Sequence, residues 1–333
     1  MALLEINDLR VAYHQAGRQI MAVDKASLSV PRGSITGIVG ESGCGKTTLG
    51  RAIIGVLAAN AAIAGGEILF EGRDLTKLSQ DEQRQVRWPE IAFVPQSAMN
   101  SLDPVYRVGD QLRSILRRRG GLAREAAVSR SAELFRSVGL APERLADYPH
   151  QFSGGMRQRA AIAMALALKP KLIVADEPVT ALDVLIQKQI LDLLVSLRTS
   201  FGVSIVLVTH DIGVIGYACD RVAVMYAGQV VEEGSVDDVL STPAHPYSMG
   251  LLQAFPDLSD GMRDLVPIRG TPPDLADPPE GCRFEPRCPF AIAACRVPIQ
   301  SQAVGENHFA ACCRLQEAGR LRELARDSAT WTS

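Results

Sequence analysis

The chain has 333 residues, enough for one large domain and a smaller attachment. At 47% apolar and 22% charged residues the composition is that of a globular protein, and a net charge of −2 gives no basis for holding nucleic acid or anionic lipid by bulk charge. No apolar run approaches the roughly 18 residues of a membrane-spanning helix, and the start MALLEINDLRVAYH has no cleavable apolar segment. A cytoplasmic protein that meets a membrane only through a partner is therefore expected, with its seven cysteines not paired as disulfides.

Near-continuous apolar runs at Ser34–Val39, Ile91–Val94, Leu172–Ala175 and Ser204–Val208 predict buried strands of a parallel sheet. Helical patterns start at Lys46, near Gly155 and at Val184, so the class is α/β. Arg124–Val138 and Met156–Leu168 read as helices. With no strand evident between Gly109 and Leu168, an α-helical subdomain inserted over about 97–168 is expected. The basic run Arg117–Arg119 reads as a solvated helix end. Arg221–Tyr226 and Gln229–Glu233 read as a hairpin turning at Ala227-Gly228. Pro267–Gly281 holds five prolines, which exclude a helix or central strand and predict an extended linker into a cysteine-bearing tail. The expected division is 1–240 and 241–333.

Two segments carry chemistry. Gly40–Thr47, GESGCGKT, fits G-x-x-x-x-G-K-[ST] between a strand and a helix. Its glycines let backbone N–H groups surround phosphate oxygens, Lys46 reaches the β- and γ-phosphates, and the Thr47 hydroxyl ligates Mg²⁺. Glu41, Ser42, Gly43, Cys44, Gly45 and Thr48 complete the loop and the first helical turn; Cys44 occupies a variable position and has no redox role. The second segment, KLIVADEP, places Asp176 and Glu177 at the C-terminal edge of a core strand, where Asp176 can hold Mg²⁺ through its water shell and Glu177 can polarise a water.

Further pieces follow in order. Phe152–Arg159 reads FSGGMRQR, Gln96 follows IAFVP, Ala181-Leu182-Asp183 follows the acids, and His210 ends SIVLVTH. Together these resemble the ATP-binding cassette family over roughly residues 3–235. The resemblance implies a RecA-like core, an N-terminal antiparallel β-subdomain, and a head-to-tail dimer burying two ATP molecules. Ser153, Gly154 and Gly155 then contact the γ-phosphate of ATP bound to the partner chain, and a Ser-Gly-Gly at a helix start has the N–H groups and dipole for it. In the same way His210 contacts the γ-phosphate, Gln96 contacts Mg²⁺ or water and senses a membrane subunit, Asp183 couples the two sites, and Tyr13 stacks on adenine. Met156 stands where the wider family commonly has glutamine.

The sequence also contains SAMNSLDPVYRVGDQL after Gln96, then HPYSMGLL, IRGTPPDL and PPEGCRFEPRCPFA. With these it is similar to the ATP-binding subunits of oligopeptide and dipeptide permeases, a group that also serves nickel and other small solutes. That similarity implies a peripheral subunit at the cytoplasmic face of the membrane, a second and related cassette as partner, two transmembrane subunits, and an extracytoplasmic solute-binding protein. Cys282, Cys288, Cys295 and Cys312 lack the C-x-x-C pairs of a zinc ribbon; four thiolates can hold an iron–sulfur cluster. Members of the group are similar in this tail, so a [4Fe–4S] centre is expected, with zinc or plain thiols as the alternatives and Cys313 a substitute for Cys312. A soluble cassette of DNA maintenance or translation is the other function class, disfavoured by the lack of long heptad runs and of a second phosphate loop.

Overall fold

The computed structural model describes residues 2–15, 17–96, 101–180, 182–254 and 266–332. Its strands, in chain order, are β1 (Ala2–Gln15), β2 (Arg18–Pro31), β3 (Ile35–Val39), β4 (Ala61–Phe70), β5 (Arg73–Asp74) and β6 (Ile91–Val94). They continue as β7 (Leu172–Asp176), β8 (Ser204–Thr209), β9 (Arg221–Tyr226), β10 (Gln229–Ser235), β11 (Gln302–Gly305) and β12 (His308–Ala310). The chain divides into two compact units, one made of 30–35 and 77–208, the other of 2–29, 36–76 and 209–333.

In the first unit β6, β7 and β8 are parallel neighbours, with Val94 opposite Ala175 and Asp176 opposite Val208. β7 and β8 are buried at every residue, which is why their sequences are apolar without alternation. The helices Val108–Arg118, Arg124–Ser137 and Gly154–Ala165 follow β6, and Val184–Phe201 joins β7 to β8. The third of these helices starts and stops earlier than the pattern predicts. Ser153 caps it, its hydroxyl accepting from the Met156 N–H at 3.3 Å, and Lys169 at φ +56° before Pro170 closes the segment. Arg117 and Arg118 lie exposed in a last helical turn, as a solvated basic end should.

The second unit holds an antiparallel sheet in the order β2-β1-β4-β5 and a run of strands β11-β12-β10-β9-β3. β3 and β9 are parallel; the other pairs in that run are antiparallel. The β9–β10 hairpin turns at Ala227 and Gly228, both at positive φ, as Ala-Gly between apolar runs predicts. Residues after 241 share this unit's core rather than hanging from it. Val266, Phe284, Phe290, Leu321 and Trp331 pack with Val39, Tyr226 and Tyr247 in one apolar cluster. Tyr226, Tyr247 and Phe284 form a mutual aromatic trio with ring centroids 4.5–5.3 Å apart.

Candidate functional site: a phosphate loop and an acidic strand end

Buried β3 delivers the chain at Gly40, and helix Lys46–Ile53 begins six residues later. Two loop glycines are required by space as well as by backbone. A Cβ on Gly40 would stand 2.1 Å from the Met225 carbonyl oxygen, and one on Gly45, at φ +103°, 2.3 Å from that of Ala22. Gly45 caps the helix with no side-chain hydrogen bond across its end, an arrangement that suits a helix N-terminus to an anionic ligand. Lys46 is 5% exposed, and its ammonium donates to the carbonyls of Gly40 (2.7 Å) and Glu41 (2.8 Å), folding back over the loop. Ser42 and Gly43 are exposed at the crest, Thr47 is half-buried, and Thr48 is buried. Tyr13 is half-buried with its hydroxyl 3.3 Å from the Thr48 hydroxyl, which sets its ring beside the loop. Burial pushes the Cys44 thiol up, and nearby Lys46 pulls it partly back.

The first unit carries the acids. Asp176, 2% exposed, ends β7. Glu177 follows at φ +46°, a left-handed conformation costly for a side chain with a Cβ, and its N–H donates to the Val208 carbonyl at 2.8 Å. One carboxylate oxygen of Glu177 accepts from the Gln96 amide at 2.7 Å and from the Thr180 hydroxyl at 2.9 Å. The pairing of β6 with β7 brings Gln96 to Glu177 across 81 residues of chain. Thr180 was not among the residues singled out by sequence; a hydroxyl three positions after the second acid, in DEPVT, was the available signal.

Ser153, exposed, and Gly154, half-buried, open the helix Gly154–Ala165, while Gly155 is buried against Ile186. Asp183, also exposed, caps Val184–Phe201 by accepting from the Ile186 N–H at 3.0 Å. Ala181 lies outside the described residues. His210, in the second unit, is exposed directly after β8.

Cys282, Cys288, Cys295 and Cys312 line one cavity together with His245. Cys313 is exposed and its sulfur lies 3.4 Å from that of Cys295. Burial pushes the thiols of Cys282 and Cys312 up to about 11 and that of Cys288 to about 12, so as free groups they stay protonated. His245 accepts from the Tyr247 N–H at 3.0 Å through Nδ1, and its buried Nε2 has no partner among the described residues. Burial lowers its pKa to about 4 against the pull of Glu232, so the ring is neutral and its proton sits on Nε2. Cys219 packs against the core of the second unit, and burial raises its thiol. Among the described residues no three His, Cys, Asp or Glu side chains converge as one bound metal ion would need.

A Gly-Lys-Thr loop following one parallel strand, and paired acids ending another, are the marks of a phosphate-loop nucleoside triphosphatase. Comparison with known families narrows this. Residues 23–180 match the ABC transporter model, and 231–295 match the C-terminal region of oligopeptide/dipeptide transporters. A probable peptide ABC transporter ATP-binding protein of Sinorhizobium fredii is 44% identical over 96% of this chain and 97% of its own length. The oligopeptide transport ATP-binding protein OppD of Salmonella typhimurium is 43% identical over 93% of each. The dipeptide transport ATP-binding protein DppD of Bacillus subtilis is 42% identical over 95% of each. Among solved structures, the dimeric ATP-binding cassette MJ0796 bound to ADP and phosphate is 29% identical with a TM-score of 0.62, over 70% of this chain and 98% of that one. The chain belongs to the ATP-binding cassette family, in its branch of oligopeptide and dipeptide transport ATP-binding proteins. It is an ATPase of that family, acting on ATP with Mg²⁺.

Proposed function

We propose that this chain drives the import of dipeptides or oligopeptides as a peripheral subunit on the cytoplasmic face of a membrane. It would pair with a second, related cassette and two transmembrane subunits supplied by an extracytoplasmic binding protein. The supporting observation for the cargo is that similarity to peptide transport proteins runs through the cassette and on through the C-terminal region. The domain reading that goes with it is a cassette over 1–240 and a permease-type extension over 241–333.

In this reading the loop Gly40–Thr48 holds the phosphates, with Lys46 turning from its loop carbonyls to the β- and γ-oxygens and Tyr13 lying against the base. Thr47, Gln96 and Asp176 would hold Mg²⁺, which would neutralise phosphate charge, and Glu177 would orient the attacking water. Transfer to water passes through a loose transition state, so positioning and charge neutralisation supply the rate, with little covalent chemistry from the protein. Glu177 suits this: its carboxylate is fixed by two donors, Gln96 and Thr180, and its strained backbone admits few other orientations. Gln96 thereby links the general base to the helical segment that follows it, a route by which membrane subunits would gate hydrolysis. Ser153, Gly154 and Gly155 close on the γ-phosphate of the partner cassette's ATP, Asp183 couples the two sites, and His210 holds the γ-phosphate in place.

Cys282, Cys288, Cys295 and Cys312 would hold a [4Fe–4S] cluster. The donor set fits: four thiols face one cavity, and the buried Nε2–H of His245 has no acceptor among the described residues. The cavity encloses about 10 Å³. Bound, the cluster would supply cross-linking of the tail and a one-electron couple. Anaerobically purified protein should carry iron and sulfide in equal amounts and a visible absorption band; their absence in protein folded and active as isolated would remove the cluster from the account. For the transport reading, gentle detergent extraction should recover two multi-span subunits and a second cassette, and the attached binding protein should take peptide. Recovery of nickel or another solute on that binding protein would reassign the cargo, and recovery of only soluble partners would overturn transport.

A further inference from the structure

The tail does more than fill the core of its unit, because two of its groups reach the phosphate loop and a third reaches the layer beneath it. Arg287 is planar, 6% exposed, and held on both sides. Its Nε and Nη2 donate to the carbonyls of Arg269 (2.8 Å) and Ile268 (3.2 Å), on the proline-rich segment. Its Nη1 donates to both carboxylate oxygens of Glu41, at 2.8 and 3.1 Å, and to the Tyr226 hydroxyl at 3.2 Å. Glu41 is the second residue of the phosphate loop, 246 positions away in the chain. Its N–H in turn donates to the hydroxyl of buried Tyr247 at 3.0 Å. The third group, Arg283, donates to the Ala227 carbonyl and to Asp24. Those residues form the floor of the loop: the Asp24 N–H donates to the Gly228 carbonyl, and the Gly228 N–H donates to the Cys44 carbonyl. Gly40 and Gly45 rest without Cβ atoms on Met225 and Ala22 of the same layer.

We propose that Arg287 is a positioning residue for ATP binding: through Glu41 it fixes the loop's entrance, so that the loop's affinity for ATP depends on the segment between Cys282 and Cys288. The inference rests on Gly40–Thr48 being the phosphate loop. A loop whose N–H groups must point at phosphate oxygens binds best when its backbone is set beforehand, since ordering it on binding costs affinity. A charge-assisted fork on Glu41 supplies that order where the loop has no helix or strand of its own. The coupling is reciprocal, so ATP must also stabilise residues 282–288.

The test uses the full chain. Arg287→Gln should weaken binding of a non-hydrolysable ATP analogue with Mg²⁺ by roughly five- to tenfold, in the range of ordinary coupling between sites. Arg287→Lys should recover part of that loss, and Glu41→Gln combined with Arg287→Gln should be no worse than either alone. Hydrogen exchange at 282–288 should slow on adding the analogue to the wild type and stay unchanged in Arg287→Gln. A merely structural arginine would lower the melting temperature while leaving the affinity of the folded protein and its exchange response intact, and that result overturns the proposal. If Arg287→Gln does not fold, Glu41→Gln breaks the same contact from the loop side and carries the same two expectations. Lys46→Ala serves as the control: normal analogue binding there would refute the loop reading itself, whereas loss there with unchanged Arg287→Gln would refute only the brace.

Discussion

Glu177, the proposed general base, also carries backbone strain. A φ of +46° at a residue with a Cβ costs on the order of 1–3 kcal/mol, and it persists here because the Val208 carbonyl, Gln96 and Thr180 fix the residue from three directions. Glu177→Gln keeps the shape and removes the charge proposed to orient the attacking water. Turnover should fall to a few per cent or less while ATP stays bound, as single-turnover assays and nucleotide retention will show; near-normal turnover would remove Glu177 from the mechanism. Thr180→Val deletes one donor without changing volume, and about 1 kcal/mol of orientation should then be lost from the transition state. That is roughly fivefold in kcat with KM little changed, and Thr180→Ser should restore it. Glu177 was legible in the sequence because it closes an apolar strand, and Gln96 through the resemblance to the cassette family. Thr180 was not, because its role depends on a turn whose path no periodicity encodes.

At the scale of elements, the caps separate folding from function. Ser153 and Asp183 each accept a backbone N–H at a helix start, and both are exposed. Replacing such a cap by alanine costs about 1 kcal/mol of stability, a few degrees in Tm for a chain of this size. If Ser153 also contacts ATP on a partner cassette, Ser153→Ala should lower hydrolysis of the assembled transporter far more than that small loss of stability accounts for. Thermal melts read beside turnover decide it. The glycines of the loop divide in the same manner. Gly45→Ala drives a Cβ into a backbone carbonyl that cannot step aside, so ATP binding should be lost, whereas Gly43, with nothing within 4 Å, meets only the strain of φ +81°. Strands β3, β6, β7, β8 and β9 were readable to within a residue because burial on both faces writes them as unbroken apolar runs. The β11–β12 hairpin was missed, since β11 is exposed at all four residues and has no apolar face to betray it.

Over the whole molecule the largest departure from the sequence reading is the tail. Proline-rich spacing made 267–281 look like a tether, yet the aromatic residues beyond it complete the core of the second unit. No periodicity marks Phe284, Phe290 and Trp331 as core, because they lie in short irregular stretches and the cluster they complete also draws on residues far away in the chain, such as Val39 and Tyr226. Trp331 is 3% exposed, donates through its indole to the Ala325 carbonyl at 2.9 Å and meets Phe290 edge to face. Trp331→Ala should therefore cost about 3–5 kcal/mol, read as a large drop in the denaturation midpoint, even though it lies within three residues of the C-terminal end of this sequence. A loss below 1 kcal/mol would mean that the tail packs loosely.

The most direct measurement of the central claim is ATP-dependent accumulation of a labelled peptide by proteoliposomes containing the complete complex and its binding protein. Uptake should require ATP on this subunit's side and disappear when Glu177→Gln is introduced into this chain alone. Peptide uptake that continues undiminished with that variant would contradict the claim.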